Sequence, residues 1–523
     1  MIKTVIITTS GTGSRLNNLT KYTNKSLINI GDKYAICYII ENYEINTEFI
    51  ITLGHHGKLV KDFLLLSYPN HNFTFITIDK YEGNGSSLGY SLLQAKTFLQ
   101  KPFIFHCCDA IIVEKIMFEE NKNTLFISKH DTSEHYTNVK VDNNTITEIN
   151  DKNHPNFDYV YTGICFIYDF EFFWMNLEYL YNYNIYNSNL NDVDAIRLMI
   201  NNNNSIFNYN ILNNWYDTGN MESYEKIKNI FKCNYTIIDK YNESLCFFDD
   251  IVIKFINDKD INKKRIERGN NLYPLSPKII NSSDNFIVME KIDGTNLSEY
   301  YHYGEIYNLL LWAKDNLWVV KYQDNKFRQS SYNFYFNKTI SRINNLNFLK
   351  THNEINIVNG IDIGSINNLL NNHLFKDVIL TDIFYSFHGD FILDNIIKTK
   401  ETYCLIDWRH EFDTDQLNCG DIYYDLSKLR HSIIFNHKNI LNELYDIVYN
   451  NDNIHIDLKC NYFLIQQLSY FDKFINENNF NLNKIKIITS IIWINMSPLY
   501  NGKLSEFLFY FGKYNLYLSL NNI

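Results

Sequence analysis

The chain of 523 residues is poor in the residues that interrupt regular structure, with 6 prolines and 19 glycines. No stretch rich in proline or glycine marks a linker between domains. The sequence also lacks an apolar run of about 18 residues, the length that a membrane-spanning helix needs. No basic and then apolar leader follows Met1. We therefore expect a cytoplasmic protein that is not inserted into a membrane.

A net positive charge is absent as well. The formal charge is −11 and the isoelectric point is about 5.8, which argues against nucleic acid or an anionic membrane surface as the main partner. Of the nine cysteines, only Cys107 and Cys108 are close together. Adjacent cysteines suit neither a CxxC zinc site nor an ordinary disulfide. We therefore expect reduced thiols.

Length and hydrophobic patterning predict two domains, because 523 residues are too many for one ordinary core. Over residues 1–230, short β-branched runs alternate with helical patterns. This alternation predicts an α/β domain with a mixed, mostly parallel sheet covered on both faces. Residues 231–523 are predicted to form an α+β unit, with a small β-rich part at about 235–297 and a mainly helical part at about 298–523.

The first candidate site is the stretch GTGSRLNNLTKYTNKSL at residues 11–27. It follows a buried-strand pattern, and its Gly11 and Gly13 would let backbone N–H groups approach a phosphate. A dinucleotide-binding loop needs a third glycine near the position of Leu16. By itself the stretch also fits an ordinary tight turn.

The longer pattern resembles the signature of the sugar-1-phosphate nucleotidyltransferases, with Arg15 and Lys25 at that family's spacing. The chain lacks the prolines of the signature, and Asn24 stands at one of their positions. Later stretches resemble further segments of the family in the same order, so the resemblance spans nearly all of residues 1–230. These stretches are EGNGSSLGYSL (82–92), FHCCDAII (105–112), YVYTGICFI (159–167) and WYDTGNMESYEKI (215–227).

The resemblance implies a Rossmann-like α/β fold and the transfer of a nucleotidyl group. An oxygen of a sugar phosphate or alcohol phosphate would attack the α-phosphorus of CTP or UTP/dTTP, and pyrophosphate would leave. Arg15 and Lys25 would be catalytic cations, while Asp109 and Asp217 would hold Mg²⁺. The residues implied to bind the nucleotide are Gly11, Thr12, Gly13, Ser14, Gly85 and Ser86.

The second candidate site is the stretch SFHGDFILDNIIKTKETYCLIDW at residues 386–408. Asp390 precedes Asn395 by five residues, as in the catalytic loops of kinases, and Asp407 ends an apolar strand twelve residues later. The stretch resembles the aminoglycoside phosphotransferase and choline kinase superfamily, and Arg409 favours its capsule-biosynthesis proteins. The resemblance implies a two-lobed domain of the protein-kinase type. Asp390 would be its catalytic base, and Asn395 with Asp407 would hold Mg²⁺.

Three residues upstream of this stretch would bind ATP by the same resemblance. Lys254, on a predicted strand, would contact the phosphates, and Glu267 would be its partner on a helix. Glu290 lies in a segment that resembles the hinge where adenine binds. No glycine occurs between Gly219 and Gly269, so a glycine-rich loop over the ATP phosphates is missing.

Together the two sites predict a bifunctional enzyme that makes a nucleotide-activated building block for a capsule or surface glycan. The second domain would phosphorylate a small hydroxyl compound with ATP, and the first would transfer a nucleotide onto that phosphate. A sugar is favoured as the substrate, and an amino-alcohol such as choline, used with CTP, stays open. A non-catalytic kinase-like module beside an active transferase also stays open, as does assembly into a homo-oligomer.

Overall fold

The computed structural model describes residues 3–183, 190–203, 205–232, 240–300, 302–351, 353–413 and 416–521. The chain divides into two compact units. The first unit comprises Met1–Asp258 and Asn281–Val288, and the second comprises Lys259–Ile280 and Met289–Ile523.

The first unit alternates strands and helices. Its strands are β1 (Thr4–Thr8), β2 (Asn29–Ile30), β3 (Lys33–Tyr34), β4 (Glu48–Leu53), β5 (Asn72–Thr77), β6 (Phe103–Cys107), β7 (Ala110–Ile112), β8 (Asn123–Ser128), β9 (Asn138–Asp142), β10 (Thr145–Asn150), β11 (Tyr159–Ile167), β12 (Phe207–Ile211), β13 (Trp215–Asp217), β14 (Glu243–Phe247) and β15 (Ile251–Ile256). Its α-helices are α1 (Ala35–Ile40), α2 (Gly57–Ser67), α3 (Leu88–Ala95), α4 (Phe170–Tyr183), α5 (Asp192–Asn201) and α6 (Met221–Ile230).

The main sheet of the first unit has the strand order β5-β4-β1-β6-β11-β8-β12-β10-β9. The first four strands run parallel to one another. In β1, Val5 and Ile7 pack into a hydrophobic cluster that includes residues of α1 and α2, whereas Ile6 packs into one that includes residues of α3 and α4. Both faces of this half are therefore covered, which explains why its strands are apolar throughout.

The other half of the sheet differs from the expectation of a mostly parallel sheet. β11 runs antiparallel to β6 and β8, and β10 runs antiparallel to β9 and β12, while β12 and β8 are parallel. The turn between β9 and β10 contains Asn143 and Asn144, whose φ angles are 47° and 66°. Two residues with positive φ close an antiparallel hairpin and are too short a connection for a parallel crossover.

Shorter strand pairs complete the first unit. β7 pairs antiparallel with β13, and β14 pairs antiparallel with β15. β14 and β15 lie in the part of the chain expected to belong to the second domain, whereas Cys246, Ile253 and Phe255 pack into the cluster that includes residues of α1 and α2. The boundary near residue 230 stays a prediction, and residues 233–239 lie outside the described part of the chain.

The second unit is mainly helical. Its helices are α7 (Lys259–Leu272), α8 (Glu305–Asn316), α9 (Phe327–Tyr332), α10 (Lys338–Asn344), α11 (Asn347–Thr351), α12 (Ile366–Leu370), α13 (His373–Val378), α14 (Ile422–Ile434), α15 (His437–Leu441), α16 (Tyr462–Glu477), α17 (Leu482–Met496) and α18 (Gly502–Leu520). Two strands contain residues of both units, namely β16 (Ile279–Ser282) and β17 (Phe286–Glu290). The remaining strands are β18 (Thr295–Asn296), β19 (Val320–Gln323), β20 (Ile357–Val358), β21 (Ile361–Asp362), β22 (Ile383–Tyr385), β23 (Ile396–Lys398), β24 (Tyr403–Leu405), β25 (Tyr445–Asn450) and β26 (Asn453–Leu458).

Helix α17 lies in the core of the second unit and packs against α14 and α18. Ten of its 15 residues are buried and seven of these are apolar, as expected for a helix surrounded by other elements. Gly512 of α18 allows a close approach, because a Cβ there would lie 2.8 Å from the carbonyl oxygen of Ser490. In the described ranges, no helix combines the length and the apolar character needed to cross a bilayer.

Candidate active sites

The loop after β1 depends on a glycine and on a buried asparagine. Gly13 has a φ of 66°, and a Cβ there would lie 2.9 Å from Thr20 Cγ2. Glycine is therefore the residue that fits without strain. A Cβ at Gly11, by contrast, would meet nothing within 4 Å, so space remains beside this residue.

Asn24 anchors the loop through its side chain. Its Nδ2 donates hydrogen bonds to the carbonyl oxygens of Thr9 (2.8 Å) and His55 (2.6 Å). Its Oδ1 accepts from the backbone N–H and the hydroxyl of Ser26, at 2.9 and 2.8 Å. The sugar-1-phosphate nucleotidyltransferase signature has a proline at this position. In this chain the hydrogen bonds of Asn24 restrain the loop there instead. They also fix the backbone that carries Lys25.

Lys25 and the two predicted metal ligands meet at one point. Antiparallel pairing of β7 with β13 places Asp217 opposite Ala110, next to Asp109. Lys25 Nζ forms an ion pair with the carboxylate of Asp109. Gly219 lies against both carboxylates, since a Cβ there would be 2.8 Å from Asp217 Oδ1 and 2.9 Å from Asp109 Oδ2. The site therefore contains one cation, two carboxylates and the space left by a missing side chain.

The charges of these three side chains influence one another. Burial opposes the ionisation of Asp109, but the charge of Lys25 and the hydrogen bonds from Cys107 and Lys25 together outweigh burial and lower the pKa of Asp109 to about 2. Burial disfavours the Lys25 ammonium, yet the Asp109 carboxylate raises the pKa of Lys25. Burial and the charge of Asp109 raise the pKa of Asp217. The negative charge of Asp217 is therefore less well balanced by nearby cations than that of Asp109. A divalent cation bound between the two carboxylates would stabilise it.

Two further residues approach these carboxylates, and no sequence motif marked them. Tyr136 donates its hydroxyl hydrogen bond to Asp217 Oδ2 at 3.3 Å. Lys152 interacts electrostatically with the same carboxylates and with Arg15, and burial together with the charge of Arg15 lowers the pKa of Lys152. They lie at the same end of the β9–β10 hairpin, one before β9 and one after β10. Only the pairing of the hairpin brings them together.

The other residues predicted to bind the nucleotide lie before α3 and in the segment after β1. Gly85 has a φ of 86° and open space around the position of a Cβ, and the Ser86 hydroxyl donates to the carbonyl oxygen of Gly83 at 2.7 Å. Ser87 then caps α3 by accepting from the backbone N–H of Tyr90 at 3.0 Å. In the first loop, Thr12 is half-buried and Ser14 and Arg15 are exposed. The backbone at both places is accessible, as phosphate binding requires.

The pair of carboxylates in the first unit fits a magnesium ion. Mg²⁺ takes oxygen ligands and is commonly held by one or two carboxylates, with water and substrate phosphates completing its shell. Throughout the described residues, no group of three or more His, Cys, Asp and Glu side chains is arranged to hold a metal ion. Two carboxylates that converge beside Gly219, where a Cβ would collide with both, match the magnesium pattern.

In the second unit, the predicted catalytic residues lie next to one another. Asn395 Nδ2 donates to Asp390 Oδ2 at 3.2 Å, so the amide oxygen of Asn395 is turned away from Asp390. Asp407 has a φ of 53° and forms an ion pair with Arg265 of α7. Lys428 of α14 forms an ion pair of 2.7 Å with Asp390. The amide oxygen and the Asp407 carboxylate are hard oxygen donors that fit Mg²⁺.

Two residues of α14 support the Asp390 loop and were missed by the sequence analysis. Burial opposes ionisation of Asp390, but the charge of Lys428 and its hydrogen bond to Asp390 together outweigh burial and lower the pKa of Asp390 to about 2. Asp425 accepts from the backbone N–H groups of His388 (2.8 Å) and Gly389 (2.7 Å). Asp425 and Lys428 are three residues apart and share a helix face. A negative and a positive side chain three residues apart on a helix with many apolar residues were the sequence feature that could have pointed to these two residues.

The residues predicted to bind ATP lie on three different elements. Lys254, on β15 of the first unit, is buried and forms an ion pair of 3.3 Å with Glu243. In the second unit, Glu267 is exposed on α7, and Glu290 accepts from the backbone N–H of Lys278 at 2.8 Å. Their roles in binding ATP stay predictions.

Comparison with known proteins bears on the first unit. Residues 4–232 match the family model described as Nucleotidyl transferase. The first unit therefore contains a nucleotidyltransferase-type α/β domain. The chain is 29% identical over 133 residues to the bifunctional protein GlmU of Methanococcus vannielii, which is 25% of this chain and 30% of that protein. The chain thus spans about 30% of the length of this curated relative.

Two solved structures are also similar. The CTP:phosphocholine cytidylyltransferase of Streptococcus pneumoniae is 21% identical, with 44% of this chain and 100% of that chain covered and a TM-score of 0.38. A UDP-glucose pyrophosphorylase complexed with UDP-glucose is 17% identical, with 44% of this chain and 98% of that chain covered and a TM-score of 0.37.

Proposed function

We propose that the chain is a bifunctional enzyme. The first unit transfers a nucleotidyl group from a nucleoside triphosphate to a phosphate acceptor, and the second unit produces that acceptor from a small hydroxyl compound and ATP. The observation that carries the proposal is the meeting of Lys25, Asp109 and Asp217 beside Gly219. The match of residues 4–232 to the nucleotidyl transferase model supports the same reaction class.

In the transfer reaction, an oxygen of the acceptor phosphate bonds to the α-phosphorus of the triphosphate. The bond from that phosphorus to the oxygen of the β-phosphate breaks, and pyrophosphate leaves. Lys25 and Arg15 hold positive charge beside the reacting phosphates, as phosphoryl chemistry requires. Asp109 and Asp217 would hold Mg²⁺, which supplies further neutralisation of charge and orients the triphosphate.

In the kinase reaction, Asp390 accepts the proton of the acceptor hydroxyl. Lys428 keeps Asp390 ionised, because it lowers the pKa of this carboxyl group. Asp425 holds the loop in place through two backbone N–H groups. Asn395 and Asp407 would hold Mg²⁺, which neutralises the ATP phosphates. The resemblance to capsule-biosynthesis proteins favours a sugar as the acceptor, with CTP or UTP/dTTP as the nucleotide of the first unit.

The transferase half is tested by pyrophosphate release. Each nucleoside triphosphate is incubated with Mg²⁺ and with sugar phosphates or phosphocholine, and products are identified by mass. Asp109→Asn and Asp217→Asn are expected to abolish release, while Asp142→Asn, at the exposed end of β9, keeps it. Full release by both site variants would refute the role of the two carboxylates.

The kinase half has a competing explanation, a non-catalytic binding module. Kinases cover the ATP phosphates with a glycine-rich loop. No glycine occurs between Gly219 and Gly269, so this loop is missing here, which favours a binding module. ADP formation with a hydroxyl compound, lost in Asp390→Asn and unchanged in Asp109→Asn, would establish two separate activities. No ADP formation with sugars, polyols or amino-alcohols would favour the module.

A further inference from the structure

The second unit contains a cavity of about 200 Å³ that adjoins Asp390 and Asp407. Helices α7, α10, α14 and α17 contribute to its walls. Its charged lining consists of these two carboxylates and the cations Arg265, Lys338, Arg342, Arg409 and Lys428. The cavity is therefore electropositive.

Each of the two carboxylates that line the cavity is paired with a cationic side chain. Asp407 forms an ion pair with Arg265, and Asp390 forms one with Lys428 at 2.7 Å. The other three cations are Lys338, Arg342 and Arg409. Within the part of the chain that the structure describes, none of these three has a carboxylate within 4 Å.

The three remaining cations make other contacts. Lys338 Nζ lies 4.1 Å from the ring centre of Phe334, and the Arg409 guanidinium lies 5.0 Å from the same ring. Arg342, one helical turn after Lys338, donates to the carbonyl oxygen of Asn495. These contacts orient the three side chains without neutralising their charge.

The concentration of positive charge is costly for the fold. Burial and the charges of Arg409, Arg342 and Lys428 lower the pKa of Lys338 well below its usual range, and Asp413 opposes this only in part. Partly buried charges without counter-ions reduce stability, and proteins keep them chiefly where a ligand needs them. An anionic ligand would supply the counter-charge that these three cations lack.

The uncharged residues that line the cavity indicate what other chemical groups the ligand has. Asn495 Oδ1 is buried and, in the described ranges, has no hydrogen-bond donor. A donor such as a hydroxyl group would satisfy it. Ile488, Ile491 and Ile492 form an apolar wall for a carbon skeleton. The volume is below the roughly 300–1,000 Å³ of drug-sized ligand sites, so the ligand is small.

We propose that this cavity binds a small hydroxyl compound that carries a phosphate or carboxylate group, with the anion held by Lys338, Arg342 and Arg409. The inference rests on the proposed kinase function of the second unit and narrows its acceptor. A cationic amino-alcohol would meet three uncompensated positive charges. During the reaction the hydroxyl proton passes to Asp390 and the acceptor oxygen bonds to the γ-phosphorus of ATP. The bond from that phosphorus to the β–γ bridging oxygen breaks, and ADP leaves.

Matched acceptors test the charge of the substrate. The full-length protein is assayed for ADP formation with a hexose and its phosphate, with glycerol, glycerol phosphate and glycerate, and with choline and ethanolamine. We expect kcat/KM for the anionic member to exceed that for the neutral one by about 100-fold, as two lost charge-assisted hydrogen bonds would produce. A preference for choline, ethanolamine or the neutral members overturns the proposal.

Variants separate the acceptor from ATP, whose phosphates have the same chemistry. Lys338→Met and Arg342→Met are expected to raise KM for the anionic acceptor about 10- to 100-fold and to leave KM for ATP unchanged. Lys350→Met, at an exposed lysine of α11, is the matched control. Lys338→Met removes a cation that has no counter-ion and should not lower Tm. Arg342→Met also loses the hydrogen bond to the carbonyl oxygen of Asn495, so the Tm of both variants is measured. A rise in KM for ATP alone would overturn the assignment.

If the parent protein shows no kinase activity, the proposed kinase function is refuted. A binding measurement then still tests whether the cavity is an anion site. Binding of glycerol phosphate and inorganic phosphate is then measured by calorimetry. Binding that is lost in Lys338→Met and kept in Lys350→Met supports an anion site in a non-catalytic module. No binding by the parent protein overturns the site.

Discussion

Replacing Gly219 with alanine tests whether the two carboxylates of the first unit need the space between them. The added Cβ would lie 2.8 Å from Asp217 Oδ1 and 2.9 Å from Asp109 Oδ2. Gly219 does not have a positive φ, so alanine introduces no backbone strain. Neither carboxylate can move freely, because Asp217 Oδ1 accepts from the Gly219 N–H at 2.8 Å and Asp109 is paired with Lys25.

The size of the effect follows from the overlap. Ordinary contact begins at 3.4 Å, so each oxygen has to move by about 0.5 Å. A misplacement of about 1 Å near the reacting atoms costs about 100-fold in rate. For half that displacement we expect kcat/KM for pyrophosphate release to fall about 10-fold, equivalent to about 1.4 kcal/mol of transition-state stabilisation.

The assay compares Gly219→Ala with Asn220→Ala. Asn220 caps α6 by accepting from the backbone N–H of Ser223 at 3.0 Å, and losing this cap costs about 1 kcal/mol without touching either carboxylate. We expect Asn220→Ala to lower Tm and keep its activity, and Gly219→Ala to lose activity with little change in Tm. Parent-like activity of Gly219→Ala, or activity that merely follows Tm in both variants, would refute the reasoning.

Three further predictions concern stability. Asn24→Ala leaves the carbonyl oxygens of Thr9 and His55 without their donor, at about 1–3 kcal/mol each, and urea unfolding should show this loss while exposed Asn18→Ala does not. Lys25→Met breaks a pair whose side chains are only 14% and 15% exposed, and it should lower the free energy of unfolding by about 3 kcal/mol at neutral pH, the low end for buried pairs. Because the folded pKa of Asp109 is depressed to about 2, the contribution of the pair is present above the unfolded value of about 3.9 and lost as the pH falls through about 2. Equal stability of parent and Lys25→Met at neutral pH would contradict this. Burial raises the pKa of Asp192 to about 6, so its folded form holds a proton more tightly than the unfolded form. The parent should then lose about 3 kcal/mol as the pH rises from about 4 to above 6, and Asp192→Asn should lack this slope.

Much of the first site could be predicted from the chain because its signals are local. The glycine loop after β1, the aspartate after β6 and the segment around Asp217 each occupy a short stretch with a recognisable pattern. Tyr136 and Lys152 could not be found this way. They belong to no motif and reach the carboxylates only because β9 and β10 pair as a hairpin.

The expectation of a mostly parallel sheet shows the same limit. Apolar runs such as β1 reveal that a strand is buried on both faces, and the parallel half of the sheet follows from that. Direction in the other half depends on the connections, and two asparagines with positive φ turn the chain back after β9. The pattern of apolar residues along a strand does not contain that information.

The sequence by itself determined which residue types stand in the two candidate sites: a glycine loop, two aspartates and an aspartate–asparagine loop, each marked by a short stretch of residues. The tertiary structure decided which charges meet. Lys25 and Asp109 are 84 residues apart, and Lys428 reaches Asp390 only because α14 packs beside its loop. Arg409 joins Lys338 and Arg342 of α10 in one electropositive cavity, although it comes from a separate segment of the chain. Electrostatic interaction depends on distance in space, which packing and strand register set and sequence spacing does not.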